Sequence, residues 1–307
     1  MKFAIKIFAV ILIVAVTLAL IMLGSSAFAA SSGRFTCLVA GLDDAAENTD
    51  VLSVVDFDFS LDAVKVYQIP RDTYFNFGTA QNKINQLFPA FRSGGASKHR
   101  AMRSLTERLE EQLAVKLDGY IAITADAFKG AVAFLGGIYV DAEDELELLS
   151  NDRRVLLHLN AGENLLSADQ AFLLARYRSG YARADLDRLD AQKLLINGFY
   201  KTVMRKGGYK ALASMMLSLD GVTSNISLTK IVRLIGDTPD ISGMTVTSVT
   251  MPGKALADSN GIWYYCLSRR RTVEQLRSIP TFDEEGFDKN RLFLKSDDKN
   301  FSKVYND

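Results

Sequence analysis

Arg71 and Asp72 follow directly on Pro70 in the run Tyr67-Gln-Ile-Pro-Arg-Asp-Thr-Tyr74, and Lys83-Ile-Asn85 stands a short way downstream. A guanidinium grips phosphate oxygens in a two-pronged fork, and a carboxylate beside it holds a hard cation that bridges phosphates. Proline donates no hydrogen bond to a ladder, so a strand through Ile69 ends at Pro70 and delivers both charges into a loop. Loops at the ends of rigid strands are where binding and catalytic groups concentrate. The plain alternative is a surface ion pair at a turn.

Strand periodicity offers a second acid. Residues 51–57 and 63–69 are short apolar-rich runs joined by a turn over 58–62, which predicts an antiparallel hairpin. If it is centred near Leu61, residues whose numbers sum to 122 face each other, and Asp50 falls opposite Asp72, give or take a residue of slip. Two carboxylates at one end of a sheet can share a divalent cation with phosphate oxygens; two unrelated strand-end acids are the alternative.

A second constellation lies further on. Ser167-Ala-Asp-Gln170 reads as a capping box that opens a helix from Ala168 to about Arg178. Arg176 and Arg178 close it, and Gly180 marks the exit, so both arginines can face one site. Asp185, Arg188 and Gln192 then share one face of a following helix, with Arg183 in the connecting loop. Arg71, Arg176, Arg178 and Arg188 bring four positive charges, and Asp50, Asp72 and Asp185 remove three. A divalent cation leaves the set near +3, a match for a diphosphate.

The elements that must carry these groups alternate. Runs at 34–40, 119–124 and 138–140 read as strands, and residues 97–115 and 126–135 as helices, the latter capped by Asp126 and stopped by Gly136-Gly137. Residues 76–96 read as a long polar loop, and residues 141–160 carry no firm assignment. Further on, 245–251 and 262–267 read as strands and 272–279 as a short helix. The pattern predicts an α/β fold, a central mixed sheet flanked by helices.

Composition narrows the chemistry. Lysine plus arginine and aspartate plus glutamate number 36 each, so no basic field points to nucleic acid. Two His and two Cys argue against a zinc centre and leave carboxylate ligands, which suit Mg2+, with Mn2+ a second choice. Cys37 and Cys266 are either a disulfide pair or two buried free thiols. Lys2 and Lys6 precede an uncharged apolar run over residues 7–23, which predicts a single-pass anchor with the N-terminus in the cytoplasm and the body outside. Ala27-Phe-Ala29 resembles a signal-peptidase site, so cleavage is the rival reading.

In this order and spacing, the segments Val39-Ala-Gly-Leu-Asp43, Thr49-Asp50, Ile69-Pro-Arg-Asp-Thr73, Lys83-Ile-Asn85, Ala133-Phe-Leu-Gly-Gly137, Arg176-Tyr-Arg178 and Asp185-x-x-Arg188-x-x-x-Gln192 resemble the LytR-CpsA-Psr family of bacterial envelope enzymes. The resemblance implies a catalytic domain over residues 34–205 behind a membrane anchor in residues 1–30; the elements of 206–280 are expected to pack on the same domain, with a small appended layer as the alternative. It implies a phosphotransferase outside the cell membrane that moves a glycopolymer, such as a teichoic acid or capsular chain, from an undecaprenyl diphosphate carrier onto peptidoglycan. Carried over by position, Asp50 and Asp72 hold Mg2+, and Arg71, Arg176, Arg178 and Arg188 clamp the diphosphate, with Lys83 and Gln192 beside them. Arg71, Asp72, Arg176 and Arg178 form the catalytic set, and an apolar groove for the prenyl tail involves Phe128, Val132, Leu135, Phe172 and Leu173.

Two positions depart from the family pattern: Asn48 stands before the Thr-Asp pair, and Ala191 before Gln192, where the family usually has arginine. A pyrophosphatase acting on lipid diphosphates, or a tethered module that binds lipid-linked precursors and regulates envelope synthesis, are the alternatives. Residues 281–307 are charged and poor in aliphatics, which predicts a loose tail.

Overall fold

The computed structural model describes residues 34–43, 48–58, 60–61, 63–79, 81–150, 152–176, 194–195, 198–199, 201–203, 205–206, 221–226, 245–289, 292–295 and 297–307. The expected anchor lies outside them. Among the described residues, no helix is long and apolar enough to cross a membrane.

The first strands form because apolar side chains fill both faces of the chain. β1 (Arg34–Leu42) is buried from Phe35 onward, as suits a central strand covered on two sides. Its alternation divides the molecule. Phe35, Cys37 and Val39 face one apolar cluster, and Leu38, Ala40 and Leu42 face another. β2 (Thr49–Asp58) and β3 (Ala63–Ile69) follow antiparallel, and β4 (Gly119–Thr124) runs parallel to β1. With β9 (Val222–Ser224) and β10 (Thr245–Thr250) the sheet has six strands in the order β10-β3-β2-β1-β4-β9. It is mixed, as expected.

The helices cover both faces. α1 (Leu87–Arg92) and α2 (Lys98–Leu113) lie on the Leu38 side. Ser97 caps α2 by accepting the Arg100 amide, and Ala101, Met102, Leu105, Leu109 and Leu113 turn one buried stripe to the sheet. α3 (Ala125–Phe134) and α4 (Ala168–Arg176) bury residues in the cluster on the Phe35 side. The cap of α3 is Thr124, which accepts from the Ala127 amide; Asp126 sits in its first turn instead. The α4 capping box forms in full: the Gln170 side chain accepts from the Ser167 amide at 2.9 Å, and the Ser167 hydroxyl accepts from the Gln170 amide at 3.3 Å.

Three stretches read differently in the structure than in the sequence. The stretch 76–96 is no plain loop: a 3-10 turn at Ile84–Gln86 leads into α1 and buries Ile84, Leu87 and Phe88. Their spacing is one helical stripe, short enough to be hidden among polar neighbours. The unassigned stretch 141–160 contains a hairpin of β6 (Leu146–Leu149) and β7 (Val155–Leu159); β5 (Ile138–Ala142) pairs with β8 (Gly162–Leu166).

The third correction concerns the tail. After the β11 (Gly253–Ala257) and β12 (Trp263–Leu267) hairpin come three helices, α5 (Arg269–Leu276), α6 (Glu284–Lys289) and α7 (Lys299–Asn306). Phe287, Phe293, Phe301, Val304 and Tyr305 are buried, so residues 281–307 are no loose tail. Aromatic rings supply the apolar area that the missing aliphatics do not. Cys37 and Cys266 are free and buried, in separate clusters.

Candidate functional site

The turn between β2 and β3 decides where the charges fall. Asp58 accepts from the Ser60 amide at 3.1 Å and the Leu61 amide at 3.2 Å, which tightens the hairpin. The ladder then pairs Leu52 with Ile69 and Ser53 with Gln68, one residue away from the register centred on Leu61. Continued past Ile69, this pairing brings Asp50 level with Arg71 rather than Asp72. The Arg71 guanidinium accordingly donates to Asp50 Oδ1 at 2.8 Å, with Arg71 Nε 3.7 Å from Asp72 Oδ2. One guanidinium therefore joins both predicted carboxylates at one end of the sheet.

The loop around them is held from two sides. The Thr73 amide donates to Pro70 O at 2.9 Å and closes the turn. The Ile84 amide donates to Thr73 O at 2.9 Å, and Tyr74 bridges Lys83. On the far side the Tyr265 amide donates to Asp72 O at 2.8 Å, and the Tyr74 amide donates to Tyr265 O at 3.0 Å. Lys83 is thereby set beside Asp72, its ammonium 2.8 Å from Oδ1. Asp50 is almost fully buried, whereas the Asp72 side chain is 38% exposed, so Asp72 is the acid that solvent and ligands reach.

Two polar atoms here are buried without a hydrogen-bond partner: Arg71 Nε and Asn85 Oδ1. Buried polar atoms are nearly always satisfied, and exceptions mark strain or a missing ligand. A free guanidinium N–H suits a phosphate oxygen, and a free amide oxygen suits a hard cation. Asp50, Asp72 and Asn85 are an all-oxygen donor set, the chemistry Mg2+ takes. The residues present fit that ion.

Asn48, standing where the resemblance expects arginine, does local work. Its side chain donates to Asp43 Oδ2 at 2.8 Å, and its carbonyl accepts the Asp43 amide at 3.0 Å, closing that loop.

The other expected residues divide. Arg176 is the last described residue of α4, while Arg178, Arg183, Asp185, Arg188, Ala191 and Gln192 lie outside the described residues. Phe128, Val132, Leu135 and Phe172 are buried in one apolar cluster, and the half-buried Leu173 packs against it. The Phe128 and Phe172 rings lie 6.2 Å apart. All five thus belong to one apolar cluster.

Sequence reasoning missed the aromatic wall behind Lys83. Tyr74, Tyr264, Cys266, Phe301 and Val304 form a third buried cluster. Burial pushes the Cys266 thiol up to about 12. Lys295 closes the cluster, its ammonium 2.9 Å from Asp258 Oδ2. The hydrogen bond from Lys295 and the Ile262 amide hold the Asp258 carboxyl below its ordinary range. A lowered carboxyl pKa stabilises the fold above the ordinary value and stops doing so as pH falls through the lowered one. The melting temperature should therefore fall on acidification below about pH 4, and Asp258→Asn should lower it at neutral pH while flattening that acid limb. Thermal melts of both proteins from neutral to acid pH check this; parallel curves would contradict it.

Among the described residues, Glu145, Glu147 and His158 are the one group of three His, Cys, Asp or Glu side chains with ligand atoms within 4.8 Å of one another. It is exposed at the β6–β7 hairpin, outside the strand-end site.

The chain is similar in sequence and fold to known proteins. The polyisoprenyl-teichoic acid–peptidoglycan teichoic acid transferase TagV of Bacillus subtilis (strain 168) is 24% identical over 251 residues, covering 79% of this chain and 63% of that one. The chain thus spans less than two thirds of that relative's length. The enzyme of the same description named TagU, from Bacillus mycoides (strain KBAB4), is 27% identical over 236 residues, covering 74% of this chain and 72% of that one. Among solved structures, protein gbs0355 from Streptococcus agalactiae superposes with a TM-score of 0.61 at 19% identity, covering 87% of this chain and 92% of that one, and shows the same fold. The model of the LytR_cpsA_psr family matches residues 21–279, which takes in the strand-end site and both arginine motifs: the chain belongs to the LytR_cpsA_psr family.

Proposed function

We propose that this chain is a membrane-tethered, extracytoplasmic phosphotransferase that moves a glycopolymer from a polyprenyl diphosphate carrier, undecaprenyl diphosphate by class, onto peptidoglycan. The observation that carries the reading is Arg71, a partly buried guanidinium joined to two carboxylates beside Lys83 at the end of a strand. The TagU and TagV relatives, teichoic acid transferases by name, point the same way. Lys2 and Lys6 before the apolar run orient the tether.

Asp50 and Asp72 would hold Mg2+, with Asn85 Oδ1 as a further oxygen; bound there, the ion neutralises charge on the diphosphate. Arg71 keeps its contact with Asp50 and presents Nε to a phosphate oxygen. Lys83 turns from Asp72 to the diphosphate, and Arg176, Arg178, Arg188 and Gln192 complete the clamp. An acceptor sugar hydroxyl attacks the phosphorus that carries the polymer. The new P–O bond forms as the bond to the prenyl phosphate breaks, and the prenyl phosphate leaves. Such transfer is mostly positioning and charge stabilisation, so no Ser or Cys nucleophile is required. The prenyl tail enters where Phe128, Val132, Leu135, Phe172 and Leu173 part from one another, Leu173 being the accessible member.

The test is turnover of a short-chain prenyl diphosphate glycan by the full chain in detergent, with a peptidoglycan oligomer and with Mg2+ or a chelator. The expected result is Mg2+-dependent transfer to the sugar in preference to water. Release of prenyl phosphate with no product on the oligomer would replace transfer by pyrophosphatase activity. Tight binding of the carrier with no turnover would make the chain a binding module.

A further inference from the structure

The cluster behind the site does more than fill space. The Lys83 ammonium lies 5.7 Å from the centroid of the Tyr264 ring while it pairs with Asp72. Tyr264 is 4% exposed, and the rings of Tyr74 and Phe301 meet it edge-on at 5.3 Å and 5.6 Å. Its orientation is therefore fixed by packing. Lys295 lies 5.3 Å from the same centroid, and Asp258 keeps that second ammonium paired. An ammonium within about 6 Å of an aromatic centroid is attracted to the ring quadrupole.

Lys83 thus has two attractors that a ligand affects differently. Asp72 is open to solvent, and any cation or anion arriving there disturbs the Lys83 pair. The Tyr264 face is buried and uncharged, and nothing arriving at Asp72 competes for it. We propose that Tyr264 is a positioning residue of this site: its ring keeps the Lys83 ammonium aimed at the incoming diphosphate once Asp72 takes another partner. The C-terminal segment from β12 to α7, which carries Tyr264, Lys295 and Phe301, is then part of the binding site and no mere appendage. The inference rests on the reading that the site takes a diphosphate.

The test uses farnesyl diphosphate with Mg2+, titrated into the full chain in detergent. Tyr264→Phe keeps the ring and should recover nearly the wild-type Kd. Fluorinated phenylalanines at 264 keep its shape but weaken its negative face. They should raise Kd stepwise, to about tenfold for the most fluorinated ring. In a Lys83→Ala background the same series should leave Kd flat. A series that weakens binding equally with and without Lys83 would reduce Tyr264 to a packing residue and overturn the proposal. If the wild-type chain binds no farnesyl diphosphate, the diphosphate reading is what has failed. The hold on Lys83 then stands or falls by NMR of the ligand-free chain. The Lys83 ε-methylene protons should be shifted upfield by the ring, and an unshifted signal would overturn it.

Discussion

Arg71→Ala is expected to lower transfer by about 10²–10³-fold, the scale on which one preorganised charge-stabilising donor contributes to a rate. The loss has two sources. The guanidinium reaches Asp50 at 2.8 Å and has Nε free to meet a phosphate oxygen, so its removal takes away a contact that strengthens as charge develops. It also takes from Asp50, whose side chain is 4% exposed, its guanidinium partner, so the fold should lose some stability as well. Arg71→Lys separates the two. It leaves a cation to pair with Asp50, so the fold should recover, but it lacks the planar fork, so transfer should stay low. Asp72→Asn is the complement: the side chain is open to solvent, and activity should fall with little change in melting temperature. The check is kcat and melting temperature measured on the same preparations. A folded Arg71→Ala protein with near wild-type kcat would remove this loop from the reaction.

The largest stability effect is expected at Phe301→Ala, at about 3–5 kcal/mol for an aromatic removed from a packed site. Phe301 is 1% exposed on a helix of what the sequence presents as a charged tail. Its ring packs edge-on to Tyr74 and Tyr264, the first in the site loop and the second behind Lys83. Removing it should loosen the third cluster before the sheet. Cys266 reports this: its thiol is buried in that cluster, whereas Cys37 lies in the sheet. Phe301→Ala should therefore speed thiol labelling at Cys266 while Cys37 stays protected. Labelling of both at one rate would mean that the molecule opens as a unit.

The strand-end site shows where local reading ends. Pro70 stops β3 by its missing N–H, a property of one residue, and the sequence suffices to place Arg71 and Asp72 in a loop. The hairpin was legible too, because apolar runs and a tight turn are local patterns. Its register was one residue off, since the hydrogen bonds of Asp58 within the turn set the count, and neither run signals them. That single step exchanges a predicted Asp50–Asp72 pairing for an Asp50–Arg71 ion pair and changes the electrostatics of the site.

The sequence by itself determined the two-sided strands, the main helices with the Ser167–Gln170 capping box, the Arg-Asp loop, and the order of motifs that carries the family. Each depends on residues within a turn or a strand of one another, where period and capping act directly. Only the tertiary structure decided what stands behind the loop. Tyr265 holds the Asp72 and Tyr74 backbone, and Tyr264 faces Lys83, from far along the chain. Burial of Phe287, Phe293 and Phe301 likewise depends on surfaces that exist only once the sheet has formed. A ring scattered among charges reads as solvated until folding supplies the rings it packs against, because apolar burial is a property of the assembled surface.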